Sequence, residues 1–187
     1  MQHRIAFVVP AFNRGESLLS TFNSILDCVS NAKISPDIII SIDDYEFFPY
    51  KKTLDSISYS NLKLIKQKKL GLKNHILKLG DLTFNYDYII ILEDDVVVNP
   101  YLLSFLLPLI NNNSIPDNVA AISLYNFEFG DFTNYPIDVS QHSSFWNYVQ
   151  SMSSWGQVIW KSKWIAFKSF LNQSSFDFQS LPHQMQC

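Results

Sequence analysis

Short apolar runs alternate along this chain with longer stretches in which apolar residues recur every three or four positions. The runs that predict strands are residues 5–9, 37–42, 62–66, 89–92 and 119–124. The stretches that predict helices are residues 16–29, 51–60, 72–84 and 101–109. Strands and helices that follow one another in this order predict an α/β domain with a mostly parallel central sheet and helices on both faces.

Acidic residues directly follow two of the predicted strands. Asp43 and Asp44 come after the second strand, and Glu93, Asp94 and Asp95 come after the fourth. The carboxyl ends of parallel strands share one edge of the sheet, where open α/β sheets bind their ligands. Adjacent carboxylates at the end of an apolar strand repel one another and lose hydration, so a positive partner is expected. A divalent cation held by one or two carboxylates and by substrate phosphates fits this pattern, and a solvated turn without a ligand is the alternative.

Local signals predict where several elements begin and end. Pro10 is expected to end the first strand, and Asn99 with Pro100 is expected to begin the last predicted helix as its cap and first residue. In the helix before it, Leu72 is expected to face the core and His75 to lie on the surface.

Composition limits the class of protein. The chain has 187 residues, 47% of them hydrophobic and 17% charged, with a formal net charge of -3, which indicates one globular domain without a general affinity for nucleic acid. Cys28 and Cys187 are more typical of free thiols in a reducing compartment than of a disulfide. The sequence shows neither a secretory signal nor an apolar run long enough to span a bilayer. We therefore expect a cytoplasmic protein, either soluble or peripheral at the inner face of the membrane.

Basic and aromatic residues add further candidates for binding. Lys73, near the start of a predicted helix, is placed to reach a phosphate, whereas residues 66–69 are expected to form a solvated sheet edge. Trp155 stands beside Gly156, which allows close approach of a ligand, and is a candidate platform for a sugar ring. Trp160 and Trp164 are expected in the core. Residues 126–154 carry no clear period, and loops of this length in compact domains are usually functional or mobile.

Taken together, four segments resemble nucleotide-sugar glycosyltransferases of the glycosyltransferase-A fold. The segments are Val9-Pro10-Ala11-Phe12-Asn13-Arg14, Ser41-Ile42-Asp43-Asp44, Leu70-Gly71-Leu72-Lys73-Asn74-His75 and Glu93-Asp94-Asp95. Their order is similar to that of bacterial family 2 members, and Glu-Asp-Asp with a later Trp-Gly is also similar to the N-acetylglucosaminyltransferase that initiates complex N-glycans. The resemblance implies one Rossmann-like domain over residues 1–187. Residues 1–124 would form its nucleotide-sugar half, and residues 125–187 an acceptor-side segment that is shorter than in the family.

By position, the resemblance also implies roles for individual residues. The residues expected at the nucleotide are Pro10, Phe12, Asn13, Arg14, Asp43, Lys73 and Asp94. Asp43 would bind the base and Asp94 would face the ribose or sugar. Asp95, with a weaker contribution from Glu93, would ligate Mn²⁺ or Mg²⁺, while Trp155 and Gly156 would contact the sugar or acceptor.

The activity implied by the resemblance is metal-dependent, inverting transfer of a hexose or N-acetylhexosamine from a nucleoside diphosphate-sugar, with a UDP-sugar favoured. The acceptor would be a glycan or a lipid-linked molecule in the synthesis of cell-envelope polysaccharides or glycoconjugates. The metal would act as a Lewis acid on the departing diphosphate, and the acceptor hydroxyl would need a base to take its proton.

The catalytic base is the least defined part of the resemblance. In the family it is an acidic residue that usually lies downstream of the Trp-Gly pair; Asp177 is the acid downstream of Trp164, and Asp131 and Asp138 are alternatives. A catalytically inactive remnant that binds a nucleotide or a partner protein is therefore a second hypothesis. A phosphoacceptor receiver domain is a third, but it requires an acid pair after the first strand, where this chain has Val9 and Pro10.

Overall fold

A computed structural model describes residues 3–112, 115–125, 148 and 152–173 of the chain. The strands of this part are β1 (Ile5–Ala11), β2 (Asp37–Ile42), β3 (Leu62–Lys66), β4 (Tyr88–Ile91), β5 (Ile122–Ser123) and β6 (Gln157–Trp160). The helices are α1 (Gly15–Ala32), α2 (Lys51–Asp55), α3 (Leu72–Gly80), α4 (Leu102–Asn111) and α5 (Lys161–Gln173). Single 3-10 turns occur at Tyr45–Phe47 and Asp81–Phe84.

The strands form one mixed sheet in the order β3-β2-β1-β4-β6-β5. Neighbours among β3, β2, β1 and β4 pair in parallel, and β6 lies antiparallel between β4 and β5. The predicted mostly parallel α/β sheet is confirmed, as is the position of β3 at an edge.

Helices cover both faces of the sheet because the strand residues alternate between two cores. Phe7 and Val9 of β1 belong to the larger core, in which α1 and α4 pack, while Ala6 and Val8 belong to the smaller one. The smaller core also contains Leu79 of α3 and Trp164 of α5. The central strands are therefore buried on both sides, as their uninterrupted apolar runs predict.

Several strand boundaries differ from the prediction. Pro10 does not end β1; it lies buried within the strand opposite Ser41, and the strand continues to Ala11. The fifth strand is only Ile122–Ser123 instead of residues 119–124. The sequence analysis missed β6, whose four residues include the partly buried Trp160.

Helix α3 faces the sheet differently from the prediction. Leu72 is 77% exposed and His75 is only 3% exposed, so the expected inward and outward positions are exchanged at the start of this helix. Other helices differ in their limits. Helix α2 ends at Asp55, and α4 begins at Leu102, two residues after Pro100.

Candidate functional site

The segments with candidate chemistry meet at one edge of the sheet. Parallel pairing of β1, β2, β3 and β4 brings the residues after these strands to this edge. Strand β6 begins there because Gln157 pairs with Ile91, and β5 ends there because Ser123 pairs with Gln157. We call this the loop edge and define it as residues 11–14, 43–45, 67–71, 92–95, 124–125 and 153–156. It is the position at which α/β sheets bind ligands.

Two adjacent carboxylates on the loop edge have different environments. The Asp94 side chain is 10% exposed and that of Asp95 is 45% exposed. The backbone N–H of Phe12 donates to Asp94 Oδ2 at 3.4 Å. Burial raises the pKa of the Asp94 carboxyl, and the positive charge of Arg14 acts in the opposite direction. Asp94 is thus the inner carboxylate of the pair and Asp95 the outer one.

Arg14 is the cation that contacts both carboxylates. Its Nη1 atom lies 3.5 Å from Asp94 Oδ1 and forms a close ion pair with Asp95 Oδ2. Arg14 immediately precedes α1, and the acids follow β4, which pairs with β1 in the sheet. Parallel pairing of neighbouring strands therefore brings together residues that are about eighty positions apart in sequence.

The other residues predicted to line a nucleotide on the first loop are divided between the sheet and the surface. Pro10 is buried in β1. Phe12 is 47% exposed, and Asn13 is exposed beside it on the loop edge. A ligand on this edge would therefore meet Phe12 and Asn13 directly, while Pro10 shapes the strand beneath them.

Asp43 joins the loops that follow three strands. It is 4% exposed, and its Oδ1 and Oδ2 atoms accept hydrogen bonds from the backbone N–H groups of Leu70 at 2.7 Å and Gly71 at 2.9 Å. Its own N–H donates to the carbonyl of Ala11 at 2.9 Å. Both carboxylate oxygens thus already accept a charge-assisted hydrogen bond, and direct binding of a base by Asp43 stays a prediction.

The turn held by Asp43 leads into α3. Gly71 has a φ of 76°, a backbone conformation that residues other than glycine adopt rarely. Lys73 is exposed in the first turn of α3, next to this glycine. On the neighbouring loop, the Tyr45 ring lies 4.5 Å from Lys66 Nζ and 5.1 Å from Lys51 Nζ. The edge around Asp43 thus carries exposed positive charge.

A buried histidine and serine connect α3 to β2. His75 Nε2 and Ser41 Oγ are 2.8 Å apart and share a hydrogen bond, and the two residues are 3% and 0% exposed. Burial lowers the pKa of His75, while the nearby charge of Asp43 raises it and that of Lys78 lowers it. His75 is therefore neutral in the folded protein at pH 7, and the bond fixes the first turns of α3 against the sheet.

The depressed pKa of His75 predicts a pH-dependent stability. Below about pH 6.5 the unfolded chain binds a proton at His75 that the folded chain does not, so stability is fully present above this pH and falls below it. The loss should approach about 1.4 kcal/mol per pH unit until the folded pKa is reached. Urea unfolding between pH 5 and 8 measures this slope. His75→Asn should reduce it, and an unchanged slope in His75→Asn would refute the assignment.

Two aromatic rings stand on the loop edge beside the acids. The ring centroids of Tyr125 and Trp155 are 4.7 Å apart at an interplanar angle of 56°, and their residues are 39% and 48% exposed. Gly156 has a φ of 148° and no side chain. A Cβ at this position would lie 3.3 Å from the Leu92 side chain. Its carbonyl accepts the N–H of Leu124 at 2.8 Å. The predicted platform at Trp155 is thus held next to the strand that carries the acids.

The three candidates for the catalytic base lie outside the described residues. These are Asp131, Asp138 and Asp177.

The donor set on the loop edge fits a divalent ion that is shared with a substrate. Asp94 and Asp95 supply hard oxygen atoms, which Mg²⁺ and Mn²⁺ prefer, and Asp95 is accessible from solvent. Within the described ranges, no group of three or more His, Cys, Asp or Glu side chains is arranged to hold a metal ion. A metal here would need ligands from the diphosphate and from water, as is common for Mg²⁺ at phosphate-binding sites.

Ser41 and Tyr125 of this region were not predicted as candidates, and His75, which was expected on the surface, is buried instead. One signal for the first was available, because Ser41 interrupts the aliphatic run of β2 and a buried hydroxyl needs a partner. His75 could have been recognised as that partner only by placing it on the inner side of α3. Tyr125 gave no comparable signal, since its contact with Trp155 depends on the pairing of β5 with β6.

Comparisons with known proteins identify the fold. No family model matches the chain, and no curated protein sequence matches it. Among solved structures, residues 1–349 of S. aureus TarS superpose with a TM-score of 0.53 at 12% identity, over 98% of this chain and 53% of that chain. A mannosyltransferase from Pyrobaculum calidifontis in complex with GDP-Man and Mn²⁺ gives 0.50 at 12% identity, over 68% of this chain and 37% of that chain.

The order of the strands in the sheet and these superpositions indicate the same architecture. The chain has the Rossmann-like glycosyltransferase-A fold. A cytidylyltransferase from Leptospira borgpetersenii shares this architecture, with a TM-score of 0.50 at 12% identity over 90% of this chain and 65% of that chain. The chain spans less than two thirds of the length of each of these proteins. At such identities the likeness establishes the glycosyltransferase-A fold and leaves the activity to be argued from the site.

Among the helices that the structure describes, none is both long enough and apolar enough to cross a bilayer.

Proposed function

We propose that this chain is a metal-dependent, inverting glycosyltransferase that binds a nucleoside diphosphate-sugar, with UDP favoured, on the loop edge. The observation that carries this proposal is the meeting of Asp94, Asp95 and Arg14 at the carboxyl ends of two neighbouring parallel strands. Such a cluster offers oxygen ligands for a metal and a guanidinium for a phosphate at one point. A cell-envelope polysaccharide or glycoconjugate would be the product.

In this proposal the acidic and the basic residues contact different parts of the nucleoside diphosphate-sugar. Asp95 ligates Mn²⁺ or Mg²⁺, Glu93 contributes more weakly, and Asp94 faces the ribose or the sugar. Arg14, from the loop after β1, and Lys73, from the first turn of α3, bind the phosphates. When bound, the metal neutralises charge on the departing diphosphate. The inner position of Asp94 supports its role, because a carboxylate fixed by the Phe12 N–H needs no reorganisation to accept a hydroxyl.

The base of the nucleotide is assigned to the β1 and β2 loops. The exposed ring of Phe12 and the amide of Asn13 provide stacking and hydrogen bonding, above Pro10 in the strand. Asp43 contributes by holding the Leu70 and Gly71 turn in place, and a direct bond to the base would use a remaining lone pair of its carboxylate.

The acceptor is assigned to the other half of the loop edge. Trp155, with Gly156 allowing close approach, provides a surface for a sugar ring, and Asp177 is proposed as the base on its sequence position alone. This divides the single domain into a donor half, residues 1–124, and an acceptor-side segment, residues 125–187. A lipid-linked acceptor would bring the protein to the inner face of the membrane.

A nucleotidyltransferase is the second candidate, because the cytidylyltransferase superposes as well as the mannosyltransferase does. It would transfer the nucleoside monophosphate group of a nucleoside triphosphate to a sugar phosphate at the same metal site, with pyrophosphate as the leaving group. Release of pyrophosphate from CTP or UTP in the presence of sugar phosphates would favour it over the glycosyltransferase proposal.

Asp95→Asn should remove most of the metal-dependent affinity for a nucleoside diphosphate. A carboxamide is a neutral and weaker ligand than a carboxylate, and losing a charged contact of this kind costs about 1.5–3 kcal/mol, or roughly a tenfold to hundredfold increase in Kd. Calorimetric titration of UDP, GDP and CDP with Mn²⁺ and with chelator measures the effect.

The control for net charge is Asp27→Asn, an exposed position on α1 away from the loop edge. Equal loss in both variants, or equal UDP affinity with Mn²⁺ and with chelator, would count against the donor site. Binding of GDP or CDP in place of UDP would keep the site and change the nucleotide. Metal-dependent binding without hydrolysis or transfer of any sugar nucleotide would instead support the inactive remnant.

A further inference from the structure

Asp95, proposed to hold the metal, and its neighbour Asp94 already share a cation that belongs to this chain. Arg14 places one guanidinium nitrogen against both Asp94 and Asp95, so the pair has a resident cation. The Arg14 side chain is 53% exposed, which leaves it room to move away from the acids without disturbing the core.

A guanidinium in this position competes with a divalent cation. It contacts Oδ2 of Asp95, the more exposed residue of the pair, and it would repel an ion that approached the remaining oxygens. Arg14 and a metal can share the site only if a further anion is present. A diphosphate is such an anion, and it offers a guanidinium two parallel hydrogen bonds in place of the ones it gives up.

We infer that Arg14 is an exchangeable counter-ion that couples metal binding to diphosphate binding. Without nucleotide, Arg14 stays on Asp94 and Asp95 and keeps metal affinity low. When a nucleoside diphosphate binds, Arg14 moves to its phosphates, which leaves Asp95 to the metal and Asp94 to the ribose or the sugar. Each ligand then raises the affinity of the other by the same factor, as thermodynamic linkage requires. This inference rests on the proposed function, since it takes a nucleoside diphosphate as the second ligand.

The inference predicts opposite effects of one substitution on two affinities. In Arg14→Gln the carboxylates have no competing cation, so Mn²⁺ alone should bind about 1.5-fold to fivefold more tightly, a range expected for a partly exposed ion pair at low salt. The diphosphate loses its guanidinium, so UDP with Mn²⁺ should bind more weakly. The factor by which UDP increases Mn²⁺ affinity should therefore fall toward one. A residue with only a structural role would weaken both affinities together.

The experiment is titration of Mn²⁺, followed by electron paramagnetic resonance of the free ion, with and without saturating UDP or GDP. The proteins compared are the unsubstituted chain, Arg14→Gln, Arg14→Lys and the control Arg4→Gln. Arg4 is the other arginine of the sequence and lies at the opposite sheet edge, where its guanidinium is 5.4 Å from the centre of the Tyr86 ring. Arg14→Lys keeps the charge and should retain most of the coupling, and Arg4→Gln should change neither affinity.

The outcomes separate this inference from the proposed function. Tighter Mn²⁺ binding and reduced coupling in Arg14→Gln support the exchange. Unchanged or weaker Mn²⁺ binding in that variant overturns it, while coupling between UDP and Mn²⁺ in the unsubstituted chain would still support the donor site. Absence of any nucleotide effect on Mn²⁺ affinity in the unsubstituted chain overturns both.

Discussion

Asp43→Asn is expected to lower the free energy of unfolding by about 2–4 kcal/mol, because one carboxamide cannot replace the two acceptor oxygens that hold Leu70 and Gly71. One backbone N–H would keep a neutral acceptor, and the other would face an NH₂ group that cannot accept from it. The damage should extend to the donor site, since the released turn precedes Lys73. Urea unfolding measures the stability, and calorimetry measures the affinity for UDP.

Asp44→Asn is the matched control for this prediction. It removes the same charge at the adjacent residue, whose φ of 59° asparagine tolerates well. We expect its stability to stay within about 0.5 kcal/mol of the unsubstituted chain, because the partly buried Asp44 side chain forms no capping hydrogen bond to the 3-10 turn that follows it. Similar losses in the two variants would show that net charge, and not the bonds to Leu70 and Gly71, sets the stability.

Gly80→Ala is expected to destabilise the protein by about 2–3 kcal/mol through overpacking, although alanine is the better helix former. A Cβ on Gly80 would lie 2.1 Å from Cζ2 of Trp164, which is 3% exposed. The indole cannot move freely, because its Nε1–H donates to Asp81 Oδ1 at 2.8 Å. Thermal and urea unfolding of the variant, with the exposed helical substitution Asn23→Ala as a control, measure the cost.

A double-mutant cycle shows whether the indole is the cause. Trp164→Leu removes the ring and is itself destabilising, since it empties part of the smaller core. In that background Gly80→Ala should cost less than about 1 kcal/mol, which would give a favourable interaction energy for the pair. An equal cost of Gly80→Ala in both backgrounds would place the strain elsewhere in α3.

The central parallel strands could be predicted from sequence because burial on both faces leaves a clear mark. Ile38, Ile40 and their neighbours form runs that contain almost no polar residue, and the polar residues that follow mark the ends of the strands. The acids of the loop edge were predicted for the same reason. Parallel pairing then requires that they share an edge, so their position, unlike their chemistry, follows from the pattern.

Elements that depend on distant pairing were missed or misplaced. Strand β6 has four residues and runs directly into α5, so its pattern cannot be separated from that of the helix. Its partner, β4, lies far earlier in the chain. In α3, the face that packs on the sheet carries His75 and Leu79, and His75 bonds to the buried Ser41, which leaves Leu72 exposed. The contact of Arg14 with Asp94 and Asp95 likewise requires the fold.

The antiparallel insertion of β6 limits where the chain can gain or lose residues in evolution. The chain leaves the sheet after Tyr125 and is back at the same edge by Ser153, whose N–H donates to Ser123 Oγ at 3.3 Å. The connection between these points has both of its ends fixed on one sheet. Doubling the length of such a connection costs only about 0.6 kcal/mol of closure entropy. Insertions and deletions there can change the surroundings of the loop edge at little thermodynamic expense, while the parallel pairing of β1, β2, β3 and β4 is kept.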